Sequence, residues 1–474
     1  MTTETKSAGH GVDASGLITR QLATYASTIS FEDLPSSTID AAKRAVLDQL
    51  GLILIGSTLP WTAPLPRVVK ALGGTGESTI LGTGAKAPAL HAAMVNANFG
   101  HACEMDDSGY KGGCHAGALT IPPALALAER DHLTGREFLL AIVLGYEVLS
   151  RIGRVVTEPT LARGFHHQSV VGPFGVAALT GRLLGLDPDM MTHALSIAGS
   201  HAGGTMEYDQ GGGEVKRYHS AMAVHGGMIA ALLAQAGLTG PPAIFEGMRS
   251  VPRLFAGIDD TSEMLAGLDD SSWFAVEKTT VKPYPSAGTV HTSIHAMQVL
   301  VAEHGFGPGD IGSIDVWVSN MSASHGGSIV EPQDVIGAQF SMAFSLALQL
   351  IKGKNVLADY MDSNLWHDAH VKEVASRVVV HSSDKYAGPV LTGALVKVSL
   401  KDGRSVEREE LYRLGSPENP LSNEELINKF RGTAGAVLHK RQLEDVLVLV
   451  ERLDNLEDIG ELVSAIKPPD GPTS

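Results

Sequence analysis

A change of hydrophobic texture near residue 278 constrains this chain more than any other feature of its sequence. Before it, apolar residues recur at helical spacing, mostly as Ala, Leu, Ile and Val with few charges between them. Ile39–Gly56 is such a stretch, with Ser36–Ser37 ahead of it as an expected N-cap. Arg136–Ile152 and Val171–Leu184 repeat the pattern, and Gly185 followed by Asp187 reads as a helix stop and the cap of the next helix. Val215–Ala236 puts Met222, Ile229, Leu233 and Ala236 on one stripe that Gly237 ends. Helices that are apolar nearly all round belong inside a large bundle.

After residue 278 the pattern becomes β-branched and alternating. Thr279–Val281, Ser313–Ser319, Ser376–Ser382 and Ala394–Leu400 read as strands, and Asp402-Gly403 marks a hairpin whose return arm is Ser405–Glu409. Helical stretches at His291–His304, Gln339–Lys352 and Asn364–Ala375 lie between them, and Asn423–Leu449 is helical again. The expected fold class is mainly α: a large helical domain formed by both ends of the chain, 17–277 and 416–466, with a smaller α+β domain inserted at 278–415. Residues 1–16 and 467–474 read as tails.

Composition bounds the function. With 474 residues the chain is long enough for two or three domains, and 44% hydrophobic residues rule out a disordered or fibrous chain. Thirty-six Lys+Arg against 52 Asp+Glu leave a net charge of −16, which argues against nucleic-acid and anionic-membrane partners. A few buried cations in one cleft would still suit a small anionic substrate. Two cysteines, a polar N-terminus and no long apolar run point to a soluble cytoplasmic protein with no disulfide scaffold.

Histidines and glycines gather in four places. In His101–His115 the acids Glu104, Asp106 and Asp107 crowd together, which raises at least one carboxyl pKa unless cations compensate. That suits a cation site or a general base, and equally a solvated helix end. Cys103, Cys114 and His115 match no compact zinc spacing, so no structural zinc is expected. In Gly164–Ser169 a helix starting near Ser169 would aim free N–H groups toward His166 and His167, although paired loop histidines are also ordinary polar surface. In Gly203–His219, glycines precede Lys216 and His219, which stand about 60° apart on one side of the next helix. That pair could hold carboxylates and move a proton; the plainer reading is a glycine-rich linker before a basic first turn. Neither a phosphate loop nor a dinucleotide fingerprint is present, so no nucleotide cofactor is expected. The fourth place, Lys282–His291, is a proline-stiffened segment at the texture change, where a cleft or a hinge belongs.

Taken together, HACEMDD, CHAGALTIPPALALAE, RGFHHQSVVGPFGVAA, GGEVKRYHSAMAVHGG, KPYPSAGTVH and AQFSMAFSLA resemble the MmgE/PrpD family over nearly the whole chain. That family includes 2-methylcitrate dehydratase, cis-aconitate decarboxylase and iminodisuccinate epimerase. The resemblance implies a helical domain completed by the C-terminal segment, an inserted α+β lid, a homodimer, and an active site between domain and lid with no metal or organic cofactor. It carries the family's site residues to Glu104, Ser108, His115, His166, Lys216 and Lys282.

Departures bear on the reaction. The decarboxylase branch has Asp and Thr where this chain has Glu104 and Ser108, a histidine at Ala287 and a tyrosine near Ala323, and one extra residue here precedes His115. On this basis cis-aconitate decarboxylation ranks last among the family's reactions, and His291 is a substitute for the missing imidazole. The expected chemistry is proton transfer α to a carboxylate. Lys216 and Lys282 bind substrate carboxylates, His115 and His166 act as acid and base, and Glu104 and Asp107 tune them. Ser108, His219, Tyr284 and His291 complete the substrate contacts. A lyase of the 2-methylcitrate dehydratase type is the first expectation. An epimerase of a small dicarboxylate comes second, and a catalytically silent carboxylate binder third. All three require the four stretches to converge on one crevice.

Overall fold

The computed structural model describes residues 16–109, 112, 114–208, 212–272, 274–387 and 392–468. The expected tails at 1–16 and 467–474 fall almost wholly outside the described residues, as does Lys111.

Among the described residues, nine α-helices carry most of the first half: α1 (Ile18–Thr28), α2 (Ser36–Gly56), α3 (Pro64–Leu72), α4 (Ala89–Gly100), α5 (Ala116–Asp131), α6 (Gly135–Ala162), α7 (His167–Leu183), α8 (Pro188–Ala198) and α9 (Val215–Gln235). The start of α2 differs from expectation. Pro35 is its N-cap, no side chain caps it, and Ser36 and Ser37 lie inside the first turn. Proline already fixes φ there and has no N–H to satisfy. Helix α6 opens on a Thr134/Glu137 capping box and runs ten residues past the expected end, because Val156 and Thr160 continue its buried face. At the next junction the expected punctuation holds: Gly185 has φ +69°, and the Asp187 side chain accepts from the Met190 N–H.

Helix α9 carries a correction. In the stripe, Met222 and Ala236 are exposed and Ile229 and Leu233 only half-buried, and the buried face includes Ser220, Ala223, Val224, Gly227, Ala230, Ala231 and Ala234. Small residues win the interior because α9 packs tightly on α7, α4 and α8. A Cβ at Gly227 would lie 2.5 Å from the Pro173 carbonyl oxygen of α7, so only glycine permits this approach. The close α7–α9 contact sets the distance between His166 and His219.

One hydrophobic core joins these helices to α10 (Asn423–Ala434), α11 (Lys440–Glu451) and α12 (Gly460–Ala465), with Phe430, Val446, Leu453 and Ile459 buried beside Leu50, Phe138 and Phe245. A second core lies within 284–400. There a sheet of strands Ile311–Val318, Val378–Ser382, Ala394–Leu400 and Ser405–Glu410 runs in the order second, first, third, fourth, with the first pair parallel and the others antiparallel. Helices His291–His304 and Met342–Lys352 pack with it. The expected strand at Thr279–Val281 is a single antiparallel bridge, Thr280 to Ser108. Two expected helices are broken by side-chain caps: Ser341 ends one helix and caps Met342–Lys352, and Asp368 splits the other before Ala369–Ala375.

A third, small cluster of Leu52, Leu59, Ala102, Cys103, Met105 and Leu357 links the two cores directly beneath the acidic motif. Among the described residues no single helix is long and apolar enough to cross a membrane.

Candidate active site

The acidic motif is the irregular link between α4 and α5, and its backbone is clamped from four directions. Trp61 Nε1–H and Arg217 Nε–H donate to the Ala102 carbonyl at 3.2 and 3.1 Å. Gln339 Nε2–H donates to Cys103 O at 2.9 Å, and Lys429 Nζ to Met105 O at 2.8 Å. Within this frame Glu104 adopts φ +56°, a left-handed conformation that costs a non-glycine residue on the order of 1–2 kcal/mol. The frame holds its carboxylate turned inward.

That carboxylate meets both expected lysines. Lys216, in the first turn of α9, donates to Glu104 Oε1, and Lys282 Nζ stands 3.9 Å from Oε2. All three groups are buried. Burial alone would raise the Glu104 pKa, but Lys216 and Lys282 overrule it and hold the group well below the usual carboxylate range. Burial likewise lowers Lys282, against Asp106 and Glu104, which favour its charge. The Phe340 ring centroid lies 5.5 Å from the Lys216 ammonium.

His115 precedes α5 and is fixed by Gln168, whose Oε1 accepts from the His115 N–H at 2.9 Å while its Nε2–H donates to His115 O and to Ser220 Oγ. His115 Nδ1 faces the Asp107 carbonyl oxygen at 2.7 Å and Asp106 Oδ2 at 3.3 Å. A carbonyl oxygen only accepts, so Nδ1 carries the hydrogen and Nε2 the lone pair. Burial lowers the His115 pKa well below the usual imidazole range. The side chain keeps 12% of its surface open, so a neutral base faces the crevice.

Asp106 Oδ2 also accepts from His101 Nδ1 at 2.6 Å. Burial opposes its charge, but His115 and His101 keep it well below the usual carboxylate range. His101, Asp106 and His115 are the group among the described residues whose donor atoms lie within 4.8 Å of one another as metal ligands would. Only their Nδ1 atoms face Asp106, while His101 Nε2 and Asp106 Oδ1 are buried without a hydrogen-bond partner. The Lys216 and Lys282 charges, which already disfavour protonation of His115, weigh against a further cation here.

His166 caps α7, its N–H bound to Gly204 O at 3.0 Å, and its Nδ1 lies 2.8 Å from His219 Nδ1. One of these nitrogens donates and the other accepts. Burial lowers both imidazoles, His166 well below its usual range and His219 to about 4. The His166 and His101 rings stack at 6.3 Å, which brings the second and third sequence clusters against the first.

Other expected contacts lie behind this crevice. Both Asp107 oxygens are engaged, by Gly117 N–H at 2.9 Å and Tyr146 O–H at 2.7 Å, and burial raises its pKa to about 7. Ser108 contributes its backbone to the Thr280 bridge. Tyr284 points into the second core and donates to Gln298 Oε1 at 3.1 Å. His291 is fully buried, its Nε2–H donating to Ser286 O at 3.0 Å. Ala287 is buried with its N–H on Gln339 O, and Ala323 lies half-buried in the short helix Asn320–Gly326. Sequence reasoning missed the roles of His101, Asp106 and Gln168, although all three stand inside or beside the clusters it singled out.

Models of the MmgE/PrpD N-terminal domain and C-terminal domain match residues 20–263 and 284–455. The chain belongs to the MmgE/PrpD family. Its similarity extends along whole relatives. It is 30% identical to a cis-aconitate decarboxylase of Aspergillus terreus (strain NIH 2624 / FGSC A1156) over 95% of this chain and 96% of the relative. It is 28% identical to the cis-aconitate decarboxylase-like protein oryM of Aspergillus oryzae (95% and 97%) and 27% identical to the Homo sapiens cis-aconitate decarboxylase (96% and 95%). These relatives carry lyase names, and in this chain Glu104 meets Lys216 and Lys282 while the rings of His101, His115, His166 and His219 form a connected cluster.

Proposed function

We propose that this MmgE/PrpD chain is a lyase acting on a small tricarboxylate, in which Lys216 and Lys282 stabilise an enolate-like charge and His115 exchanges a proton with the adjacent carbon. The observation that carries this reading is the pair of buried ammonium groups sharing one carboxylate beside a neutral imidazole whose Nε2 is unengaged. Cations so placed strengthen as charge develops on a bound carboxylate, which is what lowers the barrier to making a carbanion there. His166, coupled to His219, serves as the second proton carrier.

Decarboxylation of cis-aconitate is the first reaction to try, because it is the activity named for the relatives. In it a carbon–carboxyl bond breaks, CO2 leaves, the electron pair is held beside the remaining carboxylates, and a proton from His115 or His166 fills the carbon. This reverses the order drawn from motif departures alone. Dehydration of a hydroxy-tricarboxylate of the 2-methylcitrate type is the second reading, favoured by Glu104, Ser108, Ala287 and Ala323. There a base removes the proton α to a carboxylate and the hydroxyl leaves with a second proton.

In this reading the segment around the second core acts as a lid over the crevice, and two copies of the chain form a dimer, which sedimentation checks. A panel assay decides the chemistry. Loss of cis-aconitate with CO2 release supports the first reaction, and growth of enoate absorbance from 2-methylcitrate supports the second. Loss of optical rotation from a dicarboxylate alone would replace both with epimerisation. Ligand-induced thermal stabilisation without turnover of any acid would mark a silent binder.

A further inference from the structure

A further cation, which the lysines and histidines do not account for, stands near the segment that carries Lys282. Arg413 follows the last strand of the sheet, where the chain leaves the second core. Two residues on, the Gly415 carbonyl accepts from the Val281 N–H at 2.9 Å, which seats this turn against the segment carrying Lys282. Gly415 has φ +91°, and a Cβ there would lie 1.9 Å from the Val281 oxygen, so the two segments touch only through glycine.

The guanidinium itself rests on Gly288. A Cβ at that position would come within 2.4 Å of Arg413 Nη1, so glycine is again what lets the group in. Its charge reaches Lys282 and His291 and disfavours the protonated form of each. The acid that acts on it is Glu418, which is exposed and too distant to form an ion pair. Arg413 is half-buried; its carbonyl accepts from the Ser416 N–H at 3.1 Å, and its guanidinium makes no hydrogen bond or ion pair with any described residue. A half-buried guanidinium near another cation, with no counter-charge of its own, favours an anion that supplies one.

Lys216 and Lys282 already share Glu104, so the third cation has no anion of its own. We infer that Arg413 is a specificity-determining residue that binds a carboxylate of the substrate other than the one held at Lys216 and Lys282, and thereby selects acids with the additional carboxylate. The inference rests on the lyase reading above and sharpens it to a substrate class. A guanidinium presents two parallel N–H groups to a carboxylate, so lysine replaces it poorly.

The test compares the full-length wild type with Arg413→Gln and Arg413→Lys. Turnover is followed on cis-aconitate, and binding is followed calorimetrically with tricarballylate, which has three carboxylates, and glutarate, which has two. Arg413→Gln raises KM for cis-aconitate and Kd for tricarballylate by about 30-fold or more, with glutarate binding changed less than about threefold. Arg413→Lys recovers only part of the loss and shows that the position tolerates substitution if the glutamine variant misfolds. Equal weakening of both ligands, or of neither, overturns the inference. If wild type turns over no acid, the lyase reading fails by itself, and the tricarballylate-to-glutarate comparison still decides Arg413: selective loss supports the inference, and no binding to wild type overturns it.

Discussion

The ammonium of Lys216 is hydrogen-bonded inside the protein to the carboxylate of Glu104, a residue 112 positions earlier in the chain. Lys282 reaches the other oxygen of the same group. Glu104→Gln leaves two buried ammonium groups without a counter-charge, which destabilises the ligand-free protein by about 3–5 kcal/mol. It also lowers kcat/KM at least about 100-fold. Tricarballylate, by supplying anions, raises the variant's melting temperature by more than it raises that of wild type. Differential scanning fluorimetry checks this, and a variant as stable as wild type would show that the ion pair is incidental.

Asp106 fixes His115 without touching the crevice's open nitrogen. Asp106→Asn therefore removes the negative charge beside His115 and lowers kcat by up to about 10⁴-fold, the loss seen when a catalytic imidazole loses its carboxylate partner, and changes KM little. Nitrogen-15 spectra of the histidine rings report the relay directly: the His101 and His115 Nδ1 signals shift in the variant, while the Asp107 carbonyl keeps the hydrogen on His115 Nδ1. A variant with unchanged ring signals and unchanged kcat would remove Asp106 from the relay.

Asp107 makes stability depend on pH between about 4 and 7. Its pKa is raised from 3.8 to about 7, so the stability tied to its protonated form is present in acid and lost as pH climbs through neutrality. The full effect is at most on the order of 4 kcal/mol. A cavity of about 150 Å³ lined by Arg44, Asp48 and Ser416 reaches Asp107 and gives the proton a way out. Asp107→Asn does not titrate. The melting temperature of the variant minus that of wild type rises between pH 5 and pH 8.5; a flat difference would mean that Asp107 ionises normally.

The His166–His219 pair makes stability depend on acid as well. Burial lowers His219 from 6.5 to about 4, so the neutral ring favours the fold, and that contribution is lost as pH falls from about 6.5 through 4. His219→Gln removes the titrating ring while keeping a polar side chain. Its melting temperature falls less steeply than that of wild type between pH 6.5 and 4. Equal slopes would assign the acid sensitivity to other groups.

The sequence spoke clearly where chemistry and pattern coincide. Lys216 and His219 share a helix side because they are three residues apart, and convergence of the four clusters followed from the resemblance rather than from periodicity. The stripe on α9 went wrong because large apolar residues draw attention, whereas the interior there is filled by alanine and glycine to admit α7. The breaks at Ser341 and Asp368 went unseen because a single side-chain cap outweighs an otherwise helical pattern. Tyr284 and Asp107 stand in the right segments but point away, an orientation set by tertiary neighbours that a one-dimensional pattern does not contain. Arg413 has no motif around it at all. Only its contact with Gly288 and its lack of a counter-ion single it out.

The clamp on the acidic motif has a consequence for biosynthesis. Its holders, Trp61, Arg217, Gln339 and Lys429, are spread along most of the chain, and the last to be translated comes more than three hundred residues after the carbonyl it grips. A growing polypeptide carries every proton-handling histidine of the crevice long before it can seat Glu104 against them. The clamped geometry of the acidic motif is thus complete only once the helix that carries Lys429 is in place.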